Sequence, residues 1–162
     1  MCIRDRVYPG ETVHITVVAL NEGNLTETFN VTAYYNDAVV GTQEVVDLNP
    51  NENTTLTFVW NTTGLEPCNN YTIRAEASQV PYETDLEDNV YVDGWVAITM
   101  LGDVVAPYGV IDIYDIAAVA SVYGSRRGDP NWFERADVAP LYGFIDIYDV
   151  VTVAARYGTT CP

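Results

Sequence analysis

Between residues 13 and 100, apolar and polar side chains alternate in short runs, with no helical period in any window. Runs at 13–21, 27–36, 39–48, 54–61, 71–79 and 90–100 read as strands. The segments between them carry turn chemistry: Asn21-Glu-Gly-Asn, Asn36-Asp, Asn49-Pro-Asn-Glu-Asn, Gly64-Leu-Glu-Pro and the stretch 81–88. Six or seven strands at this spacing predict an all-β, two-sheet sandwich of immunoglobulin-like type. Parity then sorts the side chains. Phe29, Val31 and Ala33 share one face, as do Leu56, Phe58 and Trp60, and Tyr71, Ile73 and Ala75; these faces point inward. His14, between Val13 and Ile15, points to solvent.

Past residue 101 the pattern changes, because the chain repeats itself. The segment 102–124 recurs as 136–158, with an offset of 34 at Asp103/Asp137, Gly109/Gly143, Asp112/Asp146, Asp115/Asp149 and Tyr123/Tyr157. Such self-similarity predicts two copies of one loop–helix unit. In each copy the glycine permits a sharp turn. Ile111 and Ile145 are placed to pair the two loops as a short strand. Asp112 and Asp146 stand at N-cap positions, and Asp115 and Asp149, three residues on, complement the helix dipole. The helices are expected to run to Tyr123 and Tyr157. Their apolar stripes are Ile113, Ile116, Val119 and Ala120 in the first, and Ile147, Val150, Val153 and Ala154 in the second. Gly124 and Gly158 stop them. In the connector, Asp129 as cap and Pro130 at the first helical position predict a short middle helix.

Charge narrows the classes of partner. The chain of 162 residues has a net charge of −16 and no lysine. Arg74 is the single arginine between residues 7 and 98. Such a surface repels phosphate backbones and anionic membranes, so nucleic acid is a poor partner. No apolar run is long enough to cross a bilayer, so no membrane insertion is expected in this fragment. There is no nucleophile elbow, no phosphate-binding loop and no His/Cys metal set, and the carboxylates sit in turns and caps. An enzyme is therefore not expected. Residues 1–6, Met-Cys-Ile-Arg-Asp-Arg, look foreign to the rest and resemble translation through a sequencing-library adapter. They are set aside from fold reasoning, with the protein expected to extend upstream. Cys68 and Cys161 are left: they pair with each other, stay free, or pair with upstream chain.

Five Asn-x-Thr sequons lie between residues 24 and 72, at Asn24, Asn30, Asn53, Asn61 and Asn70. Asn24 falls in a turn, and parity turns the other four outward. A glycan fits at each without entering the core, which suits an extracellular or cell-surface glycoprotein better than plain Thr-rich strands.

At this point resemblances enter. The motifs Gly10-Glu-Thr-Val, Asn21-Glu-Gly, Leu48-Asn-Pro-Asn-Glu-Asn, Phe58-Val-Trp-Asn, Tyr71-Thr-Ile-Arg-Ala-Glu-Ala and Glu83-Thr-Asp-Leu-Glu-Asp-Asn resemble a CARDB domain. That is an adhesion-related, immunoglobulin-like module of bacterial and archaeal exterior proteins, and an archaeal source is expected here. The resemblance covers about residues 7–98 and implies a spacer or presenting module, with the family's first strand lying before Val7. The carboxylates of Glu83, Asp85, Glu87 and Asp88 are read as an exposed hairpin loop in preference to a Ca²⁺ site.

The duplicated half, with its Gly-x-Ile-Asp-Ile-Tyr-Asp motif, resembles a type I dockerin. This implies a small all-α domain of two EF-hand-like loop–helix repeats over residues 101–162, behind a sandwich over 7–100. In that family each loop holds Ca²⁺ and the helices dock onto a cohesin domain. The candidate ligands are Asp103, Asp112, Asp115, Asp137, Asp146 and Asp149. With Gly109 at the sixth loop position, Val104, Ala106 and Tyr108 fall where the first three ligands belong, and Asp103 comes one residue early. Calcium is therefore possible but expected to be weak or absent. An altered loop holds it, or Ala-Pro-Tyr and Pro-Leu-Tyr replace it, with a tyrosine filling the site. Cohesin contact in the family matches Ile113 and Tyr114, with Ile147 and Tyr148, and the near-identical copies permit docking in two orientations. Alternatively the isoleucines are core and only the tyrosines are exposed. Tyr114, Tyr148, Arg126, Arg127 and Arg156 are the partner-binding candidates. The expected partner is a cohesin-like domain or the protein's own sandwich. Two further readings are a C-terminal appendage of a larger secreted carbohydrate-active enzyme or protease, as in polysaccharide degradation, and a surface-layer component.

Overall fold

Alternation becomes strand almost wherever it was read. In the computed structural model, which describes residues 6–162, seven strands precede two helices. They are β1 Arg6–Val7, β2 Thr12–Leu20, β3 Glu27–Tyr35, β4 Ala38–Leu48, β5 Asn53–Asn61, β6 Asn69–Ala77 and β7 Val90–Ile98. The helices are α1 Ile113–Ser121 and α2 Ile147–Ala154. The segment set aside falls mostly outside the described residues, but Arg6 belongs to β1, a strand the alternation did not announce.

The chain divides into two compact units. The first comprises Met1–Leu65 and Asn70–Ala97, the second Glu66–Asn69 and Ile98–Pro162. In the first, a five-stranded sheet in the order β1-β7-β6-β3-β4 is accompanied by a two-stranded sheet, β2-β5. This is a sandwich-like, mostly-β fold. The β2–β5 pairing is antiparallel and unbroken from Thr12↔Asn61 to Leu20↔Asn53, whereas β3 and β4 shift register between Glu27 and Phe29 and between Ala33 and Tyr34. Val13, Ile15, Val31, Ala33, Phe58, Trp60 and Ile73 are buried, and the alternate positions are exposed, as at His14, Asn30 and Val59, or half-buried, as at Thr32 and Tyr34. The Trp60 indole stacks on Tyr35 with ring centroids 5.0 Å apart and meets Tyr71 edge-on at 6.0 Å, a geometry that adds to plain burial. Buried Asn21 shapes the first turn. Its amide donates to the Leu25 and Leu48 carbonyls, and its Oδ1 accepts the Gly23 N–H.

In the second unit the helices are shorter than the periodicity suggested. Each buries one apolar side chain of its own, Val119 or Val153. The stripes read from sequence are corrected accordingly. Ile113, Ala120, Ile147 and Ala154 are exposed, and buried Asp115 and Asp149 hold the inward positions. The middle helix does not form. Asp129 turns its carboxylate back to the Arg126 N–H and so caps nothing ahead of it, and only a 3-10 turn, Glu134–Ala136, follows. The expected pairing of Ile111 with Ile145 is also replaced. Ile111 exchanges hydrogen bonds with Gly158 and Thr159, and Ile145 with Gly124 and Ser125. Each copy's loop pairs with the chain leaving the other copy's helix, so the duplication is reciprocal in space. Cys68 and Cys161, both in this unit, form a disulfide, which resolves the alternatives left open for them.

Candidate functional site

The six repeat aspartates occupy equivalent positions in the two copies, and backbone N–H groups take up their oxygens. Asp115 Oδ1 accepts from Val104 and Val105 at 2.8 and 3.0 Å, and its Oδ2 accepts from Asp112 N–H at 2.8 Å. Asp149 does the same with Val138, Ala139 and Asp146, each at 2.8 Å. Asp112 and Asp146 each accept at 2.7 Å from the N–H two residues on, completing capping boxes with Asp115 and Asp149. Asp103 and Asp137 accept from Gly109 and Gly143 at 2.8 and 2.7 Å. Those two glycines have φ of 97° and 101°, a conformation that side chains with a Cβ resist. The loop therefore closes on its leading aspartate even with the extra residue.

The leading aspartate of the second copy is not relaxed. Oδ1 of Asp137 is buried without a hydrogen-bond partner among the described residues. Burial raises the Asp137 carboxyl above its ordinary value; the Gly143 N–H opposes the shift and the neighbouring Asp149 adds to it. Sequence reasoning passed over Arg135. Its guanidinium donates to the Asp103 carbonyl at 2.6 Å, and to the Val104 carbonyl and Thr99 Oγ1 at 3.3 Å. Nothing in its local sequence marks this role, since the partners are two backbone carbonyls and a threonine hydroxyl more than thirty residues away.

A Ca²⁺ loop needs several carboxylate and carbonyl oxygens facing one point. Here most of the carboxylate oxygens accept from N–H donors instead, and no group of three or more acidic, His or Cys side chains among the described residues is arranged to hold a metal. As they stand, these residues do not fit a calcium site. The tyrosines do not fill one either: Tyr108 and Tyr142 are 42% and 70% exposed, which corrects that expectation. The two loops also differ in detail, with a cis Ala106–Pro107 bond in one and a positive φ at Leu141 in the other.

The partner-binding candidates lie on the surface. Tyr114 and Tyr148 are 64% and 62% exposed, and Ile113 and Ile147, at 58% and 53%, stand beside them. The alternative in which the isoleucines are core is thereby removed. Arg126, Arg127 and Arg156 are exposed. Arg126 lies over the Phe144 ring at 5.2 Å, and Arg156 donates to the Thr152 carbonyl at 2.8 Å. In the sandwich all five sequon asparagines, Asn24, Asn30, Asn53, Asn61 and Asn70, are exposed. In the 81–88 stretch, Glu83 accepts the Val80 N–H and Asp85 that of Glu87, so these two carboxylates shape the loop itself.

Against this geometry the comparisons can be set. The CARDB family profile matches residues 3–93, beginning four residues ahead of the span read from the motifs. The crystal structure of the CARDB domain of a Pyrococcus furiosus protein, in complex with di-metal ions, is 24% identical with a TM-score of 0.52, covering 61% of this chain and 88% of that one. A domain of a cell surface protein from Methanosarcina acetivorans is 26% identical over 56% of this chain and 76% of that one, with a TM-score of 0.41. A β-glucosidase from Listeria innocua is 17% identical, with a TM-score of 0.45, over 62% of this chain and 16% of its own length. No curated protein matches.

Proposed function

The chain belongs to the CARDB family over residues 3–93, a cell-surface-associated, adhesion-like and non-catalytic module, and on that premise we propose that it serves outside the cell as a spacer and protein-interaction module. The family match carries this reading. The five exposed sequon asparagines support an extracellular or cell-surface site, because each accepts a glycan without disturbing the core. None of the described helices is long and apolar enough to cross a membrane.

Within that function we read the second unit as the docking part. The observation favouring this is the paired exposure of Ile113-Tyr114 and Ile147-Tyr148 at the starts of two equivalent helices. Aromatic side chains flanked by aliphatic ones are good interface anchors, and a duplicated patch offers a partner two equivalent orientations. By the resemblance stated above, that partner is a cohesin-like domain. The reading does not require calcium, since the carboxylate–amide network closes the loops. A pull-down on a panel of immobilised cohesins, in EDTA and in Ca²⁺, tests it. Binding should survive Tyr114→Ala or Tyr148→Ala singly and disappear in the double variant. No binding by any cohesin, with a monomeric particle in size exclusion, would return the unit to a purely structural role.

A further inference from the structure

The β2–β5 sheet turns one face to the core and the other to solvent. Its register sets Thr12, His14, Thr16, Val18 and Leu20 of β2 opposite Asn61, Val59, Thr57, Thr55 and Asn53 of β5, all on the outer side by parity. Thr16 is half-buried and the others are exposed. None of them is Asp, Glu, Lys or Arg, in a chain of net charge −16. The outer side of the five-stranded sheet differs. There Arg74 pairs with Glu76 at 2.7 Å, and Glu44 stands opposite Asn30. Val18, Leu20 and Val59 thus lie in solvent on a face without charge. That face does not depend on what stands beside β2. A strand added to the far edge of β2 extends the sheet in its own plane, whereas these side chains stand perpendicular to it.

Two sequons are built into this face. Asn53-Thr-Thr opens β5 and Asn61-Thr-Thr closes it, so the two asparagines stand at opposite ends, about 27 Å apart at 3.4 Å per residue. Asn61 accepts the Thr63 N–H through Oδ1 at 2.8 Å. That bond commits Oδ1 and not Nδ2, the atom that a sugar joins. The other sequons lie elsewhere: Asn24 in the first turn, Asn30 on β3 and Asn70 on β6.

We propose that the outer face of β2–β5 is covered by N-linked oligosaccharides on Asn53 and Asn61, which lie over Val18, Leu20 and Val59 and keep copies of the chain apart. In each transfer the asparagine Nδ2 bonds to the anomeric carbon of a phosphate-linked oligosaccharide donor of the host. The bond from that carbon to the phosphate oxygen breaks, its electron pair leaves with the phosphate, and the proton lost from Nδ2 goes to the phosphate. The apolar C–H edges of the sugars rest on valine and leucine, and their hydroxyls meet those of Thr16, Thr55 and Thr57. The rival occupant is a second copy. Net charge keeps like chains apart where the surface is acidic, but this face has none to offer, and a bare apolar patch on a flat sheet invites association. A bulky glycan at each end bars that approach. The proposal rests on the exterior, glycosylated reading and names what two of the five sites do.

The test is to secrete the whole chain from a host that N-glycosylates, map the sites by glycopeptide mass spectrometry, and follow association by sedimentation velocity. Asn53 and Asn61 should both carry glycan, and the chain should run as a monomer. Asn53→Gln/Asn61→Gln from the same host should shift to dimer or larger and gain binding of an apolar dye. Asn24→Gln/Asn30→Gln/Asn70→Gln should stay monomeric. The chain made without glycans should associate likewise, and Val18→Glu/Val59→Glu in that chain should restore the monomer, which locates the contact on this face. Glycan at Asn24, Asn30 or Asn70 but at neither Asn53 nor Asn61 sinks the proposal and leaves the exterior reading standing; glycan at none of the five sinks the proposal and removes that support for the reading. A glycosylated chain that already dimerises, or an unglycosylated one that stays monomeric, overturns the proposal alone.

Discussion

The two halves of this chain are held together by different physics. The sandwich is an apolar core between sheets, in which inward parity, aromatic stacking and continuous ladders supply the order. The duplicated unit has helices of nine and eight residues, too short to persist alone, and each buries one valine. Its apolar core comes mostly from outside the helices, from Ile98, Val104, Ile111, Val138 and Ile145, and these are held by Asp115 and Asp149, each accepting three backbone N–H groups, by the reciprocal pairing of each loop with the other copy, and by a disulfide. Where helices bury little and the core comes from loop residues, carboxylates that satisfy the chain's own amides hold those loops in place. The cost is dependence on a few residues.

The largest test of this contrast is the disulfide. Cys68 and Cys161 lie 93 residues apart, and cross-linking a loop of that length is worth about 4–5 kcal/mol through the unfolded chain. Cys68→Ser/Cys161→Ser should lower the denaturation free energy by about that amount, with amide protection in the second unit collapsing first. Equal loss across both units would show that the second is not the more dependent one.

Next come the organising residues themselves. Phe58→Ala should cost about 4 kcal/mol in the sandwich. Asp115→Ala and Asp149→Ala should each cost about 3 kcal/mol in the repeat, because the orphaned N–H groups lose their acceptors. The two aspartates should match one another within about 1 kcal/mol. A cost under about 1 kcal/mol at either would show that water replaces the carboxylate and that the network is dispensable.

A smaller effect is expected from pH. The Asp137 carboxyl titrates above 3.8 in the folded chain, chiefly because it is buried. The folded state therefore binds more protons than the unfolded state between the ordinary and the raised pKa, and this contribution is lost as pH rises through the folded pKa. Asp137→Asn should flatten that part of the stability–pH curve in urea titrations run upward from the ordinary carboxylate range. An unchanged slope would remove Asp137 as its source. Smallest of all, Asn24→Gln, Asn30→Gln, Asn53→Gln, Asn61→Gln and Asn70→Gln should each shift stability by less than about 0.5 kcal/mol in unglycosylated protein. A larger loss at any of them would assign that asparagine a structural role.

Sequence alone determined much of this molecule: six of the seven strands to within about two residues, the inward set around Val31, Phe58, Trp60 and Ile73, the exposure of every sequon, and the duplication with its N-caps. All of these follow from period, parity or a local hydrogen bond, which lie within a few residues. Tertiary structure decided the rest. It drew the aspartate side chains to N–H groups ten residues away, crossed each Ile loop to the other copy, and left Ile113 and Ile147 in solvent. It also seated Arg135 on distant carbonyls and joined Cys68 to Cys161. Each of these depends on which groups meet across long stretches of chain, and the competition between a cation, water and the backbone's own amides for a carboxylate is settled only when the loop has closed.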